Sequence, residues 1–243
     1  MLCETGYRQD VEILKITGNQ TLYVNRQERR GGGVLLMIKN TLESEKIQEL
    51  TKITQDYEVL TIVSKKNVYS TVYRPPCGSI TTFLHFLDMF FSWNNDNDFN
   101  LVLGGDINMN MLNTTTDIHD LLTMLESHAC INTVKAPTRI QANSATLLDV
   151  FITNIDPTTV VSGVIGCHIS DHLPTFLMFH EPTAVNTKAQ VRVSAFQDIN
   201  PFTLTDFRSA LSQVTWQEVY SQTDPNKAYE SFLDIFKSIY AEC

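Results

Sequence analysis

The chain has 243 residues, 43% of them hydrophobic and 19% charged, with a formal net charge of −9. That composition excludes a disordered or low-complexity chain, and the length allows a core that needs no disulfide staples. The acidic balance argues against a module that grips nucleic acid by bulk positive charge, but not against clustered carboxylates that hold a cation.

Met1 to Asp10 carries Glu4, Arg8 and Asp10 and no apolar run, so it does not read as a secretory leader. Gly31-Gly32-Gly33 leads into a predicted buried strand, Gly33 to Ile38. Two neighbouring strands are predicted over Tyr57 to Val63 and Asn67 to Tyr73. In the second, Val68, Ser70 and Val72 share one face and Tyr69, Thr71 and Tyr73 the other. Pro75-Pro76 stops it, because proline cannot donate to the ladder. Ile80, Phe83, Leu84, Leu87 and Phe91 recur at helical spacing and predict a helix over Ser79 to Trp93. A short buried strand, Leu101 to Leu103, ends at Gly104-Gly105-Asp106. Ile118, Leu121, Leu122 and Leu125 mark a second helix. Leu147 to Ile152, Val160 to Ile165 and Phe176 to Phe179 are further strands. Strands outnumber helices and the helices are intercalated, which predicts an α/β sandwich of sheets with flanking helices.

Residues 182–243 differ in texture. Phe207, Ala210, Leu211 and Val214 form one amphipathic stripe, and Ala228, Phe232, Ile235, Phe236 and Ile239 another. They predict helices near 204–214 and 226–240, the second capped by Asp224 with Pro225 at its first position. The most apolar stretch, Phe83 to Phe91, is broken by His85 and Asp88, so nothing reads as a bilayer span. Cys3, Cys77, Cys130, Cys167 and Cys243 are odd in number and widely spaced. They read as free thiols in a reducing compartment rather than a zinc site or disulfide framework. Asn19-Gln20-Thr21 matches a glycosylation acceptor only by chance, with no secretion signal beside it.

Four segments place polar groups at strand ends, where sites are built. Gly104-Gly105-Asp106-Ile107-Asn108 sets a carboxylate and an amide two residues apart; Asp106 can take a proton from water and Asn108 can donate to a phosphate oxygen. Ser170-Asp171-His172 offers an adjacent carboxylate and imidazole. Asp149 lies among Leu147, Leu148, Val150 and Phe151, where an ionised carboxylate is costly unless paired, and His172 is its natural partner. Tyr73 ends a strand in Val72-Tyr73-Arg74-Pro75-Pro76. Each segment alone also fits an ordinary turn or strand end; together, in this order, they are far more specific.

With Leu2-Cys3-Glu4-Thr5, Gly31-Gly32-Gly33-Val34 and Pro137-Thr138-Arg139-Ile140, these segments resemble the endonuclease/exonuclease/phosphatase family. The likeness is to the branch found in non-LTR, LINE-type retrotransposons, and it covers about residues 1–181. It implies a DNase I-like two-layer β-sandwich flanked by helices. The family's first strand, with an asparagine upstream of the glutamate, has no counterpart before Glu4, so the chain is expected to be truncated at both ends. Residues 182–243 resemble the helical segment that precedes a reverse transcriptase, expected in cis in the complete element.

Carried over, the resemblance implies Glu4 and Asp171 as metal ligands for Mg²⁺ or Mn²⁺. It implies Asp106, Asn108, Asp149, His172 and Tyr73 as catalytic residues, and Ser170, Arg139 and Thr138 as substrate-binding ones. DNA is the expected partner, without membrane association, and the setting intracellular, in cytoplasm and nucleus. Arg26, Arg29, Arg30 and Arg139 are the basic candidates for DNA contact, although the first three read more simply as a solvated charged loop. The implied activity is metal-dependent nicking of target DNA. A phosphomonoesterase of the same family and a non-catalytic retrotransposon remnant remain as alternatives.

Overall fold

The computed structural model describes residues 1–6, 15–26, 31–167, 170–179 and 201–242. The chain divides into two compact units, Met1–Thr183 and Ala184–Cys243. The first unit runs β1 (Leu2–Cys3), β2 (Asn19–Val24), β3 (Val34–Lys39), β4 (Glu45–Lys46), β5 (Lys52–Ile53), β6 (Glu58–Ser64), β7 (Asn67–Tyr73), helix α1 (Ile80–Asn97), β8 (Asn100–Asp106), helix α2 (Thr116–Ser127), β9 (Ile131–Asn132), β10 (Arg139–Gln141), β11 (Ser144–Thr146), β12 (Asp149–Thr153), β13 (Val160–Val164) and β14 (Thr175–Phe179). One sheet has the order β1-β3-β2. A seven-stranded sheet has the order β4-β6-β7-β8-β12-β9, with β5 also on β6. β10 pairs with β11, and β13 with β14. β7 and β8 are parallel, which requires a crossover, and α1 supplies it.

The central strands are buried on both faces, so alternate residues feed two cores. Val59, Val68, Val72, Leu101, Leu103, Val150 and Ile152 face the helices, packing with Phe83, Phe86, Leu87, Phe90, Phe91, Ile118, Leu121 and Leu125. Leu60, Ile62 and Tyr73 face Val34 and Leu36 of the smaller sheet. This is the two-layer α/β sandwich that the many strands and intercalated helices predict, with α1 and α2 on the outer face of the larger sheet.

The sequence underestimates α1. Ser79 is its N-cap and its hydroxyl accepts from the Thr82 amide at 3.2 Å, but the helix continues to Asn97. Phe86, Phe90 and Asn94 join the buried face, while Ile80 and Leu84 are only partly buried. Leu122 of α2, counted in the predicted stripe, is 43% exposed. β2 and the β10–β11 pair have no apolar alternation strong enough to announce them, and only tertiary pairing makes them strands.

The second unit contains α3 (Pro201–Ser212), α4 (Gln217–Tyr220) and α5 (Pro225–Glu242). Aromatic rings join them: Phe207 meets Phe236 edge-on at 5.3 Å and Trp216 stacks on Phe232 at 5.5 Å. Asp224 caps α5, its carboxylate accepting from the Asn226 amide at 2.9 Å. The polar linker before these helices lies outside the described residues. Among the described residues no helix is long and apolar enough to cross a membrane.

Candidate active site

Cross-strand register gathers residues that lie far apart in sequence. Glu58 opposes Tyr73 across β6 and β7, Tyr73 opposes Asp106 across β7 and β8, and Asp106 opposes Asp149 across β8 and β12. Directly opposed residues point to the same face of a sheet. Glu58, Tyr73, Asp106 and Asp149 therefore form one transverse row on the face turned toward the smaller sheet. A cleft of about 590 Å³ opens at one end of this row, lined by Glu4, Asp106, Arg139, Asp149, Ser170, Asp171 and His172.

Asp106 is 4% exposed at the end of its strand. Gly105, before it, has φ +150°, and a side chain there would collide with the Val72 carbonyl, so only glycine lets β8 lie this close to β7. Beyond Asp106 the chain turns through Asn108 at φ 48°, a conformation asparagine tolerates better than most residues. That turn brings the Asn108 amide N–H to Asp106 Oδ1 at 2.9 Å and its Nδ2 to Oδ2 at 3.1 Å. Burial pushes the Asp106 carboxyl up to about 6; Asp149 and Glu4 push the same way, and the Asn108 amide and His172 oppose them.

Asp149 Oδ2 lies 2.9 Å from His172 Nδ1. The hydrogen bond to Asp149 raises the imidazole pKa, against the opposing effect of partial burial. Among the described residues, Asp106, Asp149 and His172 form a group whose ligand-capable atoms lie within 4.8 Å of one another. Glu4, at φ 52°, turns its carboxylate to accept the Tyr73 hydroxyl. Burial and that bond raise the Tyr73 pKa well above its ordinary value, so the phenol stays protonated and donates.

Several expected roles change. Thr138, expected at the substrate, is fully buried; its hydroxyl accepts from the Leu148 and Asp149 amides, each at 3.0 Å, and so fixes the start of β12. Asn108 was expected to donate to phosphate, yet both Nδ2 hydrogens are engaged, one on Asp106 and one on the Arg74 carbonyl at 2.9 Å. Here its amide holds Asp106. Asp171, expected on the metal, receives Arg139 Nε at 2.8 Å and Gln141 Nε2 at 3.3 Å; these bonds hold its carboxyl down at about 2. Ser170 stays at the mouth, its hydroxyl 3.3 Å from Asp171 Oδ1. Arg139 is thus paired, though 36% exposed. Arg26 is turned inward to Glu58 with its side chain 13% exposed, so it is not a solvated DNA contact. Arg29 and Arg30 lie outside the described residues.

Arg74 has a role that the Val72-Tyr73-Arg74-Pro75-Pro76 segment does not announce. Its guanidinium donates to the carbonyls of Ile107 at 2.8 Å, Gly78 at 2.7 Å and Asn108 at 2.7 Å, tying the end of β7 to the Asp106 loop. A charged residue between a buried strand and Pro75-Pro76 was the available signal. Glu58 was missed too, although it is a carboxylate in a buried strand, the same signal that picked out Asp149.

Residues 68–176 match the family model described as endonuclease-reverse transcriptase. The match spans somewhat under half of the chain, and through it these residues are similar to the endonuclease/exonuclease/phosphatase family. No curated protein matches the chain. Among solved structures, the fold is similar to the endonuclease domain of TRAS1, a telomere-specific non-LTR retrotransposon, with TM-score 0.55 and 16% identity over 69% of this chain and 83% of that one. It is also similar to the Neisseria meningitidis 3′-5′ exonuclease NExo, with TM-score 0.57 and 12% identity over 73% of this chain and 87% of that one. A Neisseria 3′ phosphatase NExo variant bound to a product DNA hairpin matches with TM-score 0.55 and 12% identity, over 74% and 87%. The acidic row and the Asp149–His172 pair lie within or beside the matched residues, whereas α3 to α5 lie outside them.

Proposed function

We propose that the chain is a divalent-metal-dependent endonuclease that hydrolyses a phosphodiester bond and nicks one strand of DNA. The observation that carries the reading is the Asp149–His172 pair at 2.9 Å, with Asp106 close enough to share a ligand with it, at the mouth of a cleft in a nuclease and phosphatase fold. The donor set suits Mg²⁺ or Mn²⁺. Asp106, Asp149 and Glu4 offer hard oxygen ligands, and their mutual repulsion is surplus negative charge that a cation offsets. Such an ion, when bound, supplies positive charge to the non-bridging and leaving oxygens of the phosphate.

The side chains then divide the work. Asp106, held by Asn108, orients a water and takes its proton as the water oxygen bonds to phosphorus. The bond from phosphorus to the 3′-oxygen breaks, and that oxygen takes a proton from solvent. His172, whose charged form the bond to Asp149 favours, faces the oxygens on which negative charge grows, and the protonated Tyr73 orients Glu4 through its hydroxyl. In this reading the free 3′-hydroxyl primes a reverse transcriptase carried in the same polypeptide. That association agrees with the description of the matching family.

The test is conversion of supercoiled plasmid to open circles with Mg²⁺ and with chelator. Nicking only with the metal supports the endonuclease. Release of phosphate from a 3′-phosphorylated oligonucleotide with plasmid left intact favours the monoesterase. A folded chain that does neither is a non-catalytic remnant.

A further inference from the structure

The transverse row has four members, and the reaction above uses three of them. We propose that Glu58, the fourth, and Arg26 form a buried pair that positions the Tyr73 hydroxyl and the Glu4 carboxylate, so that both are positioning residues for the site; this rests on the endonuclease reading.

Glu58 is fully buried. One carboxylate oxygen accepts the Gly33 amide and the other faces Arg26 Nε. Gly32, at φ +74°, has no side chain to collide with either group, so the backbone can close over the pair. The Arg26 guanidinium lies over the Tyr73 ring, 5.9 Å from its centroid, which suits a cation on an aromatic face. A second link runs through the backbone. Gly33, held by Glu58, accepts from the Thr5 amide at 3.2 Å, and Gly32 accepts from the Gly6 amide at 2.9 Å. These bonds anchor the segment that carries Glu4. The pair thus reaches Tyr73 through its ring and Glu4 through its backbone, and the two meet in the Tyr73–Glu4 hydrogen bond.

An apolar pair of similar volume would fill this place at no loss of stability, because desolvating two charges offsets most of their attraction. What the ion pair adds is direction: a planar fork with fixed donors over one ring and a carboxylate bound to one amide. A misplacement of about 1 Å in a site can cost on the order of a hundredfold in rate, so this order is enough for the pair to matter.

The experiment uses the full chain with Glu58→Gln, Arg26→Met and Arg26→Lys, and Lys66→Ala as a surface control. Two readings are taken. The first, without metal or DNA, is the ¹³Cζ NMR signal of Tyr73, assigned with Tyr73→Phe. The second is plasmid nicking, with kcat and KM separated. The signal should move in Glu58→Gln and Arg26→Met, return most of the way in Arg26→Lys, and stay in place in Lys66→Ala. Nicking should fall about tenfold or more in kcat with KM little changed, and the Glu58→Gln/Arg26→Met double variant should be no worse than the worse single one. An unmoved Tyr73 signal in folded Glu58→Gln and Arg26→Met overturns the proposal, and so does a moved signal with nicking unaffected. If the wild-type chain nicks nothing, the endonuclease reading fails by itself and the Tyr73 signal alone decides whether the pair sets this residue. If Glu58→Gln does not fold, the two Arg26 variants decide.

Discussion

The two faces of the larger sheet are built from the same strands and do opposite things. On the helix side, Val72, Leu103, Val150 and Ile152 pack against phenylalanines of α1 in one continuous apolar core. On the other side the apolar cluster is small, centred on Val34, Leu36, Leu60, Ile62 and Tyr73, and toward the strand ends it gives way to carboxylates. Adjacent residues are split between these roles: Val72 and Tyr73, Gly105 and Asp106, Val150 and Asp149. A core that large on one face supports the strands well enough for the opposite face to carry repelling charges. The comparison therefore predicts that helix-side changes alter stability and inner-face changes alter chemistry.

The largest expected effect is on chemistry. Asp149→Asn and His172→Ala should each lower the nicking rate by about 10²–10⁴-fold. The double variant should be little worse than either single one, because groups that act as a unit are non-additive. Thermal melts of the three should stay near the wild type, since both side chains are at the cleft surface, 20% and 28% exposed. Multiplicative losses in the double variant would show that the 2.9 Å contact is not a working pair. The mirror-image change is Phe90→Ala on the helix side. Phe90 is fully buried in α1, and its removal should cost about 3–5 kcal/mol in a denaturant melt. The nicking rate per folded molecule should not change. A rate loss at conditions where the variant is fully folded would mean that the core does more than support the row.

Much of this division is legible in the sequence. The alternation in Asn67–Tyr73 separates the two faces, and the polar ends of strands supply Asp106, Asp149 and His172 as candidates. The register is not legible. Nothing local says that Glu58 lies opposite Tyr73 and Tyr73 opposite Asp106, because pairing depends on turns and on strands far away in the chain. The same blindness explains Thr138 and Arg26. A threonine hydroxyl aimed at the backbone of β12 and one aimed at a ligand read alike, and an arginine next to a glycine run reads as solvated until a buried carboxylate is found facing it. The wide buried face of α1 was underestimated for a different reason. Phe86 and Phe90 fall outside a narrow stripe, but a helix lying on a broad sheet buries both flanks.

A third test asks whether the inner face carries uncompensated charge. The Asp106 carboxyl, pushed up to about 6 by burial and then by Asp149 and Glu4, keeps its proton in the folded chain at a pH where the unfolded chain has lost it. Its contribution to stability is complete below about pH 4, the ordinary aspartate value, and is lost as pH rises through about 6. Without metal, the wild type should therefore lose on the order of 3 kcal/mol between about pH 4 and pH 7 relative to Asp106→Asn, as measured by urea melts across that range. Mg²⁺ at neutral pH should restore stability to the wild type and not to Asp106→Asn. Parallel pH profiles for the two proteins would mean that burial and the neighbouring carboxylates do not hold a proton on Asp106 in the folded state.

The smallest expected effect probes a place where a short piece of chain joins the two faces. Arg74 follows β7 beside the site and donates to the Gly78 carbonyl at 2.7 Å; the residue after Gly78, Ser79, caps α1 on the opposite face. The Ser79 hydroxyl accepts from the Thr82 amide at 3.2 Å, and the Ser79 amide donates to Asp56 Oδ1 at 2.9 Å. Ser79→Ala removes the first of these bonds and keeps the second, because only the side chain changes. An N-cap of this kind contributes about 1 kcal/mol, so the melt should shift by about that much. If the faces are independent, the nicking rate is unchanged, since Arg74 still holds Gly78 through the backbone and Asn108 still holds Asp106. A rate loss beyond about twofold, with the loss of stability no larger than a cap accounts for, would mean that the start of α1 sets the Arg74 fork. The helix side would then belong to the machinery of the site. Measuring the rate and the melt on the same preparation separates the two outcomes, because a structural loss moves only the melt.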